Sequence, residues 1–213
     1  MTETFQRLSE GRQQLLLDIC IDEFAENPYQ IASTNSIVRR AGISKGLFFK
    51  YFGSKQSVYL HVVQTVLTEL GELQAEPFSS ADIVERSEEL FSRHMDYARR
   101  RPPRYRLALR SAVETEPTIR LAVESIRAEI AARLAPALYD GVDWSIYNLP
   151  KAEVIEFLRC LDLGLRQAAA ESLTDPSDMI RFAAHVRESH QLARNVLRHG
   201  LYVAQFKEDE HVD

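Results

Sequence analysis

The chain has 213 residues, of which 45% are apolar, 27% charged and 9% aromatic, enough for one compact domain or a small domain joined to a larger one. These fractions exclude a disordered or fibrous chain, and no apolar run approaches the roughly 20 residues that span a bilayer. The formal net charge of −5 alone argues weakly against a nucleic-acid partner.

The first ten residues and the cysteines indicate the cellular compartment of the protein. Glu3 and Glu10 stand in a stretch without an apolar core, so this stretch is not a signal peptide. Cys20 and Cys160 provide no disulfide framework, and each lies in an apolar helical pattern where a reduced, buried thiol is expected. We therefore predict a soluble cytoplasmic protein.

The first four helices are predicted from caps and apolar spacing. Residues 9–26 form a helix whose apolar positions share one face: Leu16, Ile19, Cys20 and Phe24. Asn27 ends it, since Asn tolerates a left-handed C-cap and the following Pro cannot continue the helix. Three serines then act as N-caps of helices over about 34–41, 45–51 and 55–74: Ser33, Ser44 and Ser54.

The remaining chain also has helical patterns. Residues 75–80 predict a linker, and helices follow over about 81–101, 103–113, 117–139, 150–173 and 178–206. No strand-like alternation interrupts them, so the sequence predicts an all-α fold of about nine helices. The predicted domains are a DNA-binding domain over 1–54, a regulatory and dimerisation domain over 55–206, and a charged tail over 207–213.

Charge is distributed unevenly along the chain. From Asn27 to Thr68 there is no Asp or Glu, and five cations give this basic segment a charge of +5: Arg39, Arg40, Lys45, Lys50 and Lys55. Since the whole chain carries −5, the remainder carries −10. A basic segment on an acidic protein suits a polyanionic partner, because phosphate contacts dominate nonspecific nucleic-acid affinity.

The second and third helices, joined by Ala41-Gly42-Ile43-Ser44, have the layout of a helix-turn-helix. If Phe48 and Phe52 face inward against Ile37, Ala41 and Ile43, the 100° helical step turns Gly46, Leu47 and Lys50 outward, with Phe49 and Tyr51 at the flanks. An exposed Gly allows close approach to another surface, and a major groove would explain an exposed Leu beside Lys.

Each outward position has a chemical counterpart in DNA. Leu47 suits a thymine methyl, and Lys45 and Lys50 suit guanine acceptors or phosphates. The helix N-termini at Thr34–Asn35 and at Lys55 offer backbone N–H groups to phosphates. The alternative is a helix-turn-helix used only for packing, with solvated lysines.

The stretch AGISKGLFFKYFGSK, residues 41–55, resembles the signature of the TetR family of bacterial transcriptional regulators, with similarity over roughly 12–63. The resemblance implies base-facing roles for one set of residues: Asn35, Lys45, Gly46, Leu47 and Lys50. It implies phosphate contacts for another set: Ser33, Thr34, Tyr51 and Lys55. Leu47 stands where the family usually has Thr, and Phe49 stands where it usually has Tyr. Phe49 lacks the phenolic hydroxyl for a phosphate contact, but its ring can pack on the sugar-phosphate chain.

The family resemblance also implies a double-stranded DNA operator, a homodimer formed through the last two helices, and a small-molecule effector in a pocket between the middle helices. Candidate pocket residues are Phe91, His94, Met95, Tyr97, Tyr105, Arg110, Trp144 and Tyr147; the alternative is that these side chains simply fill the core. The run Arg99–Arg101 suits an anionic effector or a solvated helix end. The spacing of His185, His190 and His199 fits no metal pair, and no metal or cofactor is predicted.

The sequence thus predicts a ligand-responsive repressor without enzymatic activity or a membrane partner. Three alternatives stay open: a DNA-binding factor without a small-molecule inducer, an all-helical enzyme assembled from distant residues, and a helical ligand-binding module that uses DNA only as a scaffold.

Overall fold

The computed structural model describes residues 1–171, 188–193, 195–197 and 199, and all regular structure in them is helical. This confirms the all-α class. The elements are α1 (Glu3–Gln6), α2 (Glu10–Glu26), α3 (Thr34–Ala41), α4 (Lys45–Phe52), α5 (Lys55–Glu72), α6 (Ile83–Arg100), α7 (Pro102–Ala112), α8 (Pro117–Tyr139), a 3₁₀ helix (Trp144–Ile146) and α9 (Lys151–Glu171). The predicted helix over 178–206 and the tail over 207–213 lie largely or wholly outside the described residues.

The end of α2 differs from its predicted geometry. Asn27 is the C-cap, but it is extended, with φ −125° and ψ 136°, rather than left-handed. The reason is Pro28, whose ring disfavours helical geometry at the preceding residue and favours an extended one. The Asn27 side chain instead donates to the Glu23 carbonyl oxygen at 3.3 Å and to its carboxylate at 3.4 Å.

The structure divides into two compact units. The first comprises Met1–Glu76 and Arg93–Ala137, and the second comprises Pro77–Ser92 and the described residues from 138 onward. In the first unit α2 packs against α3, α5 and α7. Its core includes Phe24 and Tyr59, whose rings meet edge to face at 5.0 Å between centroids. A predicted boundary between functional domains at residue 54 stays a prediction.

A buried arginine ties four helices of the first unit together. The Arg104 guanidinium, on α7, donates to the Asp18 carboxylate of α2 at 2.6 Å and to the Glu69 carboxylate of α5 at 2.7 Å. The Tyr97 hydroxyl of α6 donates to the other Glu69 oxygen at 2.5 Å. Burial and this hydrogen bond to Glu69 raise the pKa of Tyr97.

We expect Arg104→Met to lower the free energy of unfolding by about 1–3 kcal/mol, because it leaves two carboxylates without their cation. This is less than the roughly 3–5 kcal/mol lost when a fully buried ion pair is broken, because the side chains of Asp18 and Glu69 are 48% and 31% exposed and water screens them. Urea unfolding measures the change. Arg106→Met, on the half-buried neighbouring arginine, is the control, and equal losses in both variants would contradict the bridging role.

The second unit has its own small core. Ile83, Val154 and Leu197 are buried in it. The Arg86 guanidinium donates to the carbonyl oxygens of Leu138 and Asp140 at 2.9 and 2.5 Å. A buried cation therefore binds carbonyl groups at the C-terminal end of α8. None of the described helices combines the length and the apolar character needed to cross a membrane.

The two cysteines have different environments. Cys20 is fully buried, as predicted, but Cys160 on α9 is exposed, so its predicted burial is wrong. Helix α9 carries apolar residues on more than one face, so helical spacing did not show which face the unit buries. The neighbouring Leu163 is likewise exposed, at 71%.

Burial raises the pKa of the Cys20 thiol to about 12, despite the opposing charge of Arg40. Because the thiolate is the reactive form, we expect Cys20 to resist alkylation by iodoacetamide at neutral pH and to react once the protein is unfolded in urea. Mass spectrometry of the peptide that contains Cys20 measures this. Modification of the native protein as fast as of the unfolded chain would contradict it.

Candidate nucleic-acid interface

Three serine caps set where the helices around the basic segment begin. The side chains of Ser33, Ser44 and Ser54 accept hydrogen bonds from the backbone N–H three residues ahead, at 3.4, 3.2 and 3.0 Å. Each bond serves one of the first N–H groups of a helix, which have no partner within the helix itself. The predicted capping roles are therefore confirmed.

The turn between α3 and α4 needs its glycine. Gly42 has φ +64°, a left-handed conformation that other residues adopt only with strain. The Arg12 guanidinium of α2 donates to the neighbouring Ala41 carbonyl oxygen at 3.1 Å. The chain therefore enters α4 in a fixed direction.

Helix α4 divides into an inner and an outer face, as predicted. Phe48 and Phe52 are buried and their ring centroids lie 4.9 Å apart. On the outer face Lys45, Gly46 and Lys50 are exposed. In the part of the chain that the structure describes, neither lysine has an ion-pair partner.

The flanks of α4 are less uniform. Phe49 is 39% exposed and Ser44 is exposed. Leu47, predicted to be exposed on the outer face, is instead half-buried, because it packs partly against the core. Tyr51 is only 8% exposed, and its ring packs edge to face on Phe5 at 6.0 Å. The structure thus places Tyr51 in the core rather than at a solvated flank, and its phosphate contact stays a prediction.

The positive charge of the basic segment is partly neutralised. The Arg40 guanidinium lies 2.6 Å from the Asp22 carboxylate of α2, so this pair adds little field at the surface. Arg39 is exposed beside it. Four cations of the segment keep their charge unpaired with an acidic side chain among the described residues.

The helix N-termini on either side of α4 differ in exposure. On α3, Asn35 is exposed and Thr34 half-buried. On α5, the Lys55 ammonium donates to the Gln30 carbonyl oxygen at 3.3 Å and lies 4.7 Å from the centre of the Tyr29 ring. Burial lowers the pKa of Lys55. Its side chain is thus already engaged within the protein.

Sequence reasoning missed a carboxylate that positions α3. Glu23 is 5% exposed, and its Oε1 accepts the backbone N–H of Ser33 at 2.8 Å. This fixes the N-cap of α3 to α2. Helical spacing could have predicted this contact, because Glu23 lies three positions after Cys20 on the buried face of α2, where an acidic residue needs a partner.

The candidate effector residues fall into both compact units. The first unit contains five of them: His94, Met95, Tyr97, Tyr105 and Arg110. The second unit contains the other three: Phe91, Trp144 and Tyr147.

Three of these candidates have clear roles within the fold. Tyr97 bonds to Glu69, as described above. Arg110 donates to the Ala25 carbonyl oxygen at 2.6 Å, and the Tyr147 hydroxyl donates to Asp82 at 2.5 Å while accepting the Ile83 N–H at 2.9 Å. An effector role for the eight residues stays a prediction. Among the described residues no three His, Cys, Asp or Glu side chains are grouped to hold a metal.

Together these features define a class: a helical protein whose first unit carries a helix-turn-helix with an exposed, basic second helix. Residues 16–62 match the family model described as "Bacterial regulatory proteins, tetR family". This match and the solved structures below confirm the resemblance to the TetR family and the TetR-like fold. No curated protein sequence matches the chain.

Several solved structures have this fold. A TetR family transcriptional regulator from Chloroflexus aurantiacus is 24% identical with a TM-score of 0.59, and the match covers 92% of this chain and 94% of that one. A putative tetR family transcription regulator from Shewanella is 19% identical with a TM-score of 0.60, covering 87% and 97%. The regulator PfmR from Thermus thermophilus is 21% identical with a TM-score of 0.58, covering 88% and 98%.

Proposed function

We propose that this protein is a TetR-like transcriptional repressor that binds a palindromic DNA operator as a homodimer and is released by a small-molecule effector. The observation that carries the proposal is the outer face of α4. Lys45 and Lys50 point away from the core without ion-pair partners in the described residues, and Gly46 leaves the helix surface bare between them.

This face suits the major groove of DNA. The bare surface at Gly46 allows the helix to approach base edges, and ammonium groups pair with guanine acceptors or phosphates. In the basic segment only Arg40 is drawn into an ion pair with an acidic side chain among the described residues. The remaining charge attracts the phosphate backbone, which supplies most of the nonspecific affinity for DNA.

The functional domains we propose are 1–54 for DNA binding and 55–206 for regulation and dimerisation, with a tail over 207–213. The homodimer would use α9 and the predicted helix over 178–206, which lies largely outside the described residues. On α9, Leu163 and Gly164 are exposed, and this apolar surface supports an intersubunit contact. A two-fold dimer sets two recognition helices about one DNA turn apart.

Release requires an effector that binds two states of the protein with different affinity. Helix α5 starts directly after the end of α4, with only Gly53 and Ser54 between them, so a shift of α5 would redirect α4. We propose α5 as the lever. An effector bound by the candidate residues would change the position of α5. The protein would act in the cytoplasm and would have no enzymatic activity.

Selection from random duplex DNA at about 0.15 M salt, followed by sedimentation of the purified protein, tests the proposal. We expect an inverted repeat with two equivalent half-sites and a dimer at micromolar concentration. Recovery of no motif, with binding that vanishes as salt rises, would leave only nonspecific attraction. A monomer would contradict the dimeric form. If no compound in a broad ligand screen releases the protein from the selected duplex, the proposed control by a small-molecule effector is contradicted.

A further inference from the structure

We infer that Thr2 and Phe5 are positioning residues that fix the last turn of the recognition helix α4, and with it the direction of the Lys50 side chain. This inference rests on the proposed DNA-binding function. It concerns α1, a helix of four residues that precedes the helix-turn-helix and belongs to the same compact unit.

The end of α4 needs outside partners. The last four carbonyl groups of a helix have no N–H partner within it. In α4 the Phe49 carbonyl oxygen takes the N–H of Gly53 at 2.8 Å. The next two carbonyl oxygens are those of Lys50 and Tyr51, and both lie at the Thr2 side chain.

Thr2 serves these carbonyls instead of its own helix. It is the N-cap of α1, but its side chain makes no capping hydrogen bond there. Its hydroxyl lies 2.7 Å from the Lys50 carbonyl oxygen and 2.9 Å from that of Tyr51, and it donates to the two in turn. Its backbone N–H donates to the Tyr51 carbonyl oxygen at 3.2 Å.

Phe5 holds the same turn from its apolar side. It is 2% exposed, and its ring centroid lies 6.0 Å from that of Tyr51 and 5.2 Å from that of Phe52. These two residues, which directly follow Lys50, are therefore packed against α1. The exposed lysine emerges from a turn that is held on both its polar and its apolar side.

The far end of α1 is also anchored. The Gln13 amide of α2 donates to the carbonyl oxygens of Gln6 and Leu8, at 3.1 and 2.8 Å. Helix α1 therefore connects α2 to the last turn of α4. Because α2 belongs to the core of the unit, this connection limits tilting of the recognition helix.

The test compares Thr2→Val, which keeps the shape of the side chain but removes the hydroxyl, with Thr2→Ser, which keeps the hydroxyl. Thr118→Val, at an exposed threonine near the start of α8, is the matched control. In the free proteins, NMR measures hydrogen exchange of the Phe52 and Gly53 amides. Fluorescence anisotropy measures binding to the duplex selected by the parent protein and to a duplex of scrambled sequence.

We expect Thr2→Val to speed exchange at Phe52 and Gly53 about fivefold and to weaken binding to the selected duplex by a similar factor, in line with the loss of one net hydrogen bond. Binding to the scrambled duplex should not change, and Thr2→Ser and Thr118→Val should behave like the parent. Faster exchange with an equal loss of affinity for both duplexes would overturn the role in positioning.

Unchanged exchange in Thr2→Val would overturn the anchoring of α4 by Thr2, whatever the DNA result. A parent protein that selects no sequence would instead overturn the proposed function, and with it the role of Thr2 in recognition. The two failures are distinguishable because the exchange measurement uses no DNA.

Discussion

Replacing Lys45 and Lys50 together by alanine is expected to weaken binding to the selected duplex at least about 30-fold near physiological salt, since each specific contact of this kind contributes about 1–3 kcal/mol. Both side chains are exposed on one face of α4, so the fold should tolerate their removal. The slope of log affinity against log salt should also become shallower, by about 0.9 for each phosphate that the protein no longer neutralises.

Arg120→Ala with Arg133→Ala is the matched control. It removes the same charge from exposed positions of α8, outside the basic segment. Little change is expected there. If both double variants bind the duplex equally weakly, net charge rather than α4 determines binding, and the assignment of the recognition helix fails.

Phe48→Ala is expected to destabilise the protein by about 3–5 kcal/mol, the usual loss for a phenylalanine removed from a packed core. Phe48 is fully buried, with its ring centroid 4.9 Å from that of Phe52 and 5.3 Å from that of Phe49. The cavity would open directly beneath the exposed face of α4. Urea unfolding followed by circular dichroism measures the loss.

The neighbouring Phe49→Ala is a natural control, because the same change of residue occurs at a side chain that is 39% exposed. We expect at most about 1 kcal/mol of destabilisation there. A comparable loss for both variants would contradict the division of α4 into an inner and an outer face.

Sequence patterns predicted the region around the helix-turn-helix well, because several independent signals agree there. The serine caps and the inward Phe48 and Phe52 each depend on local geometry that a few residues determine. The bounds of α8, Pro117–Tyr139, agree with the prediction, since a proline at the first helical position and a glycine after its end mark both limits.

Contacts between distant parts of the chain were beyond sequence reasoning. Helix α1 has four residues, too few to show helical periodicity, so Thr2 and Phe5 gave no signal. The burial of Tyr51 depends on the Phe5 ring, and the engagement of Lys55 depends on groups of the loop after α2. The same limit explains Cys160, since spacing on α9 does not reveal which apolar face is covered.

The measurement that tests the central claim most directly is a parallel selection from random duplex DNA with the parent protein, Leu47→Thr and Leu121→Thr. Leu47 is on α4, whereas Leu121 is an exposed leucine of α8. If α4 reads the bases, Leu47→Thr should change the preferred base at one position in each half-site, because a hydroxyl replaces an apolar contact. Leu121→Thr should recover the parent motif. The same motif from all three proteins would contradict recognition of the bases through α4.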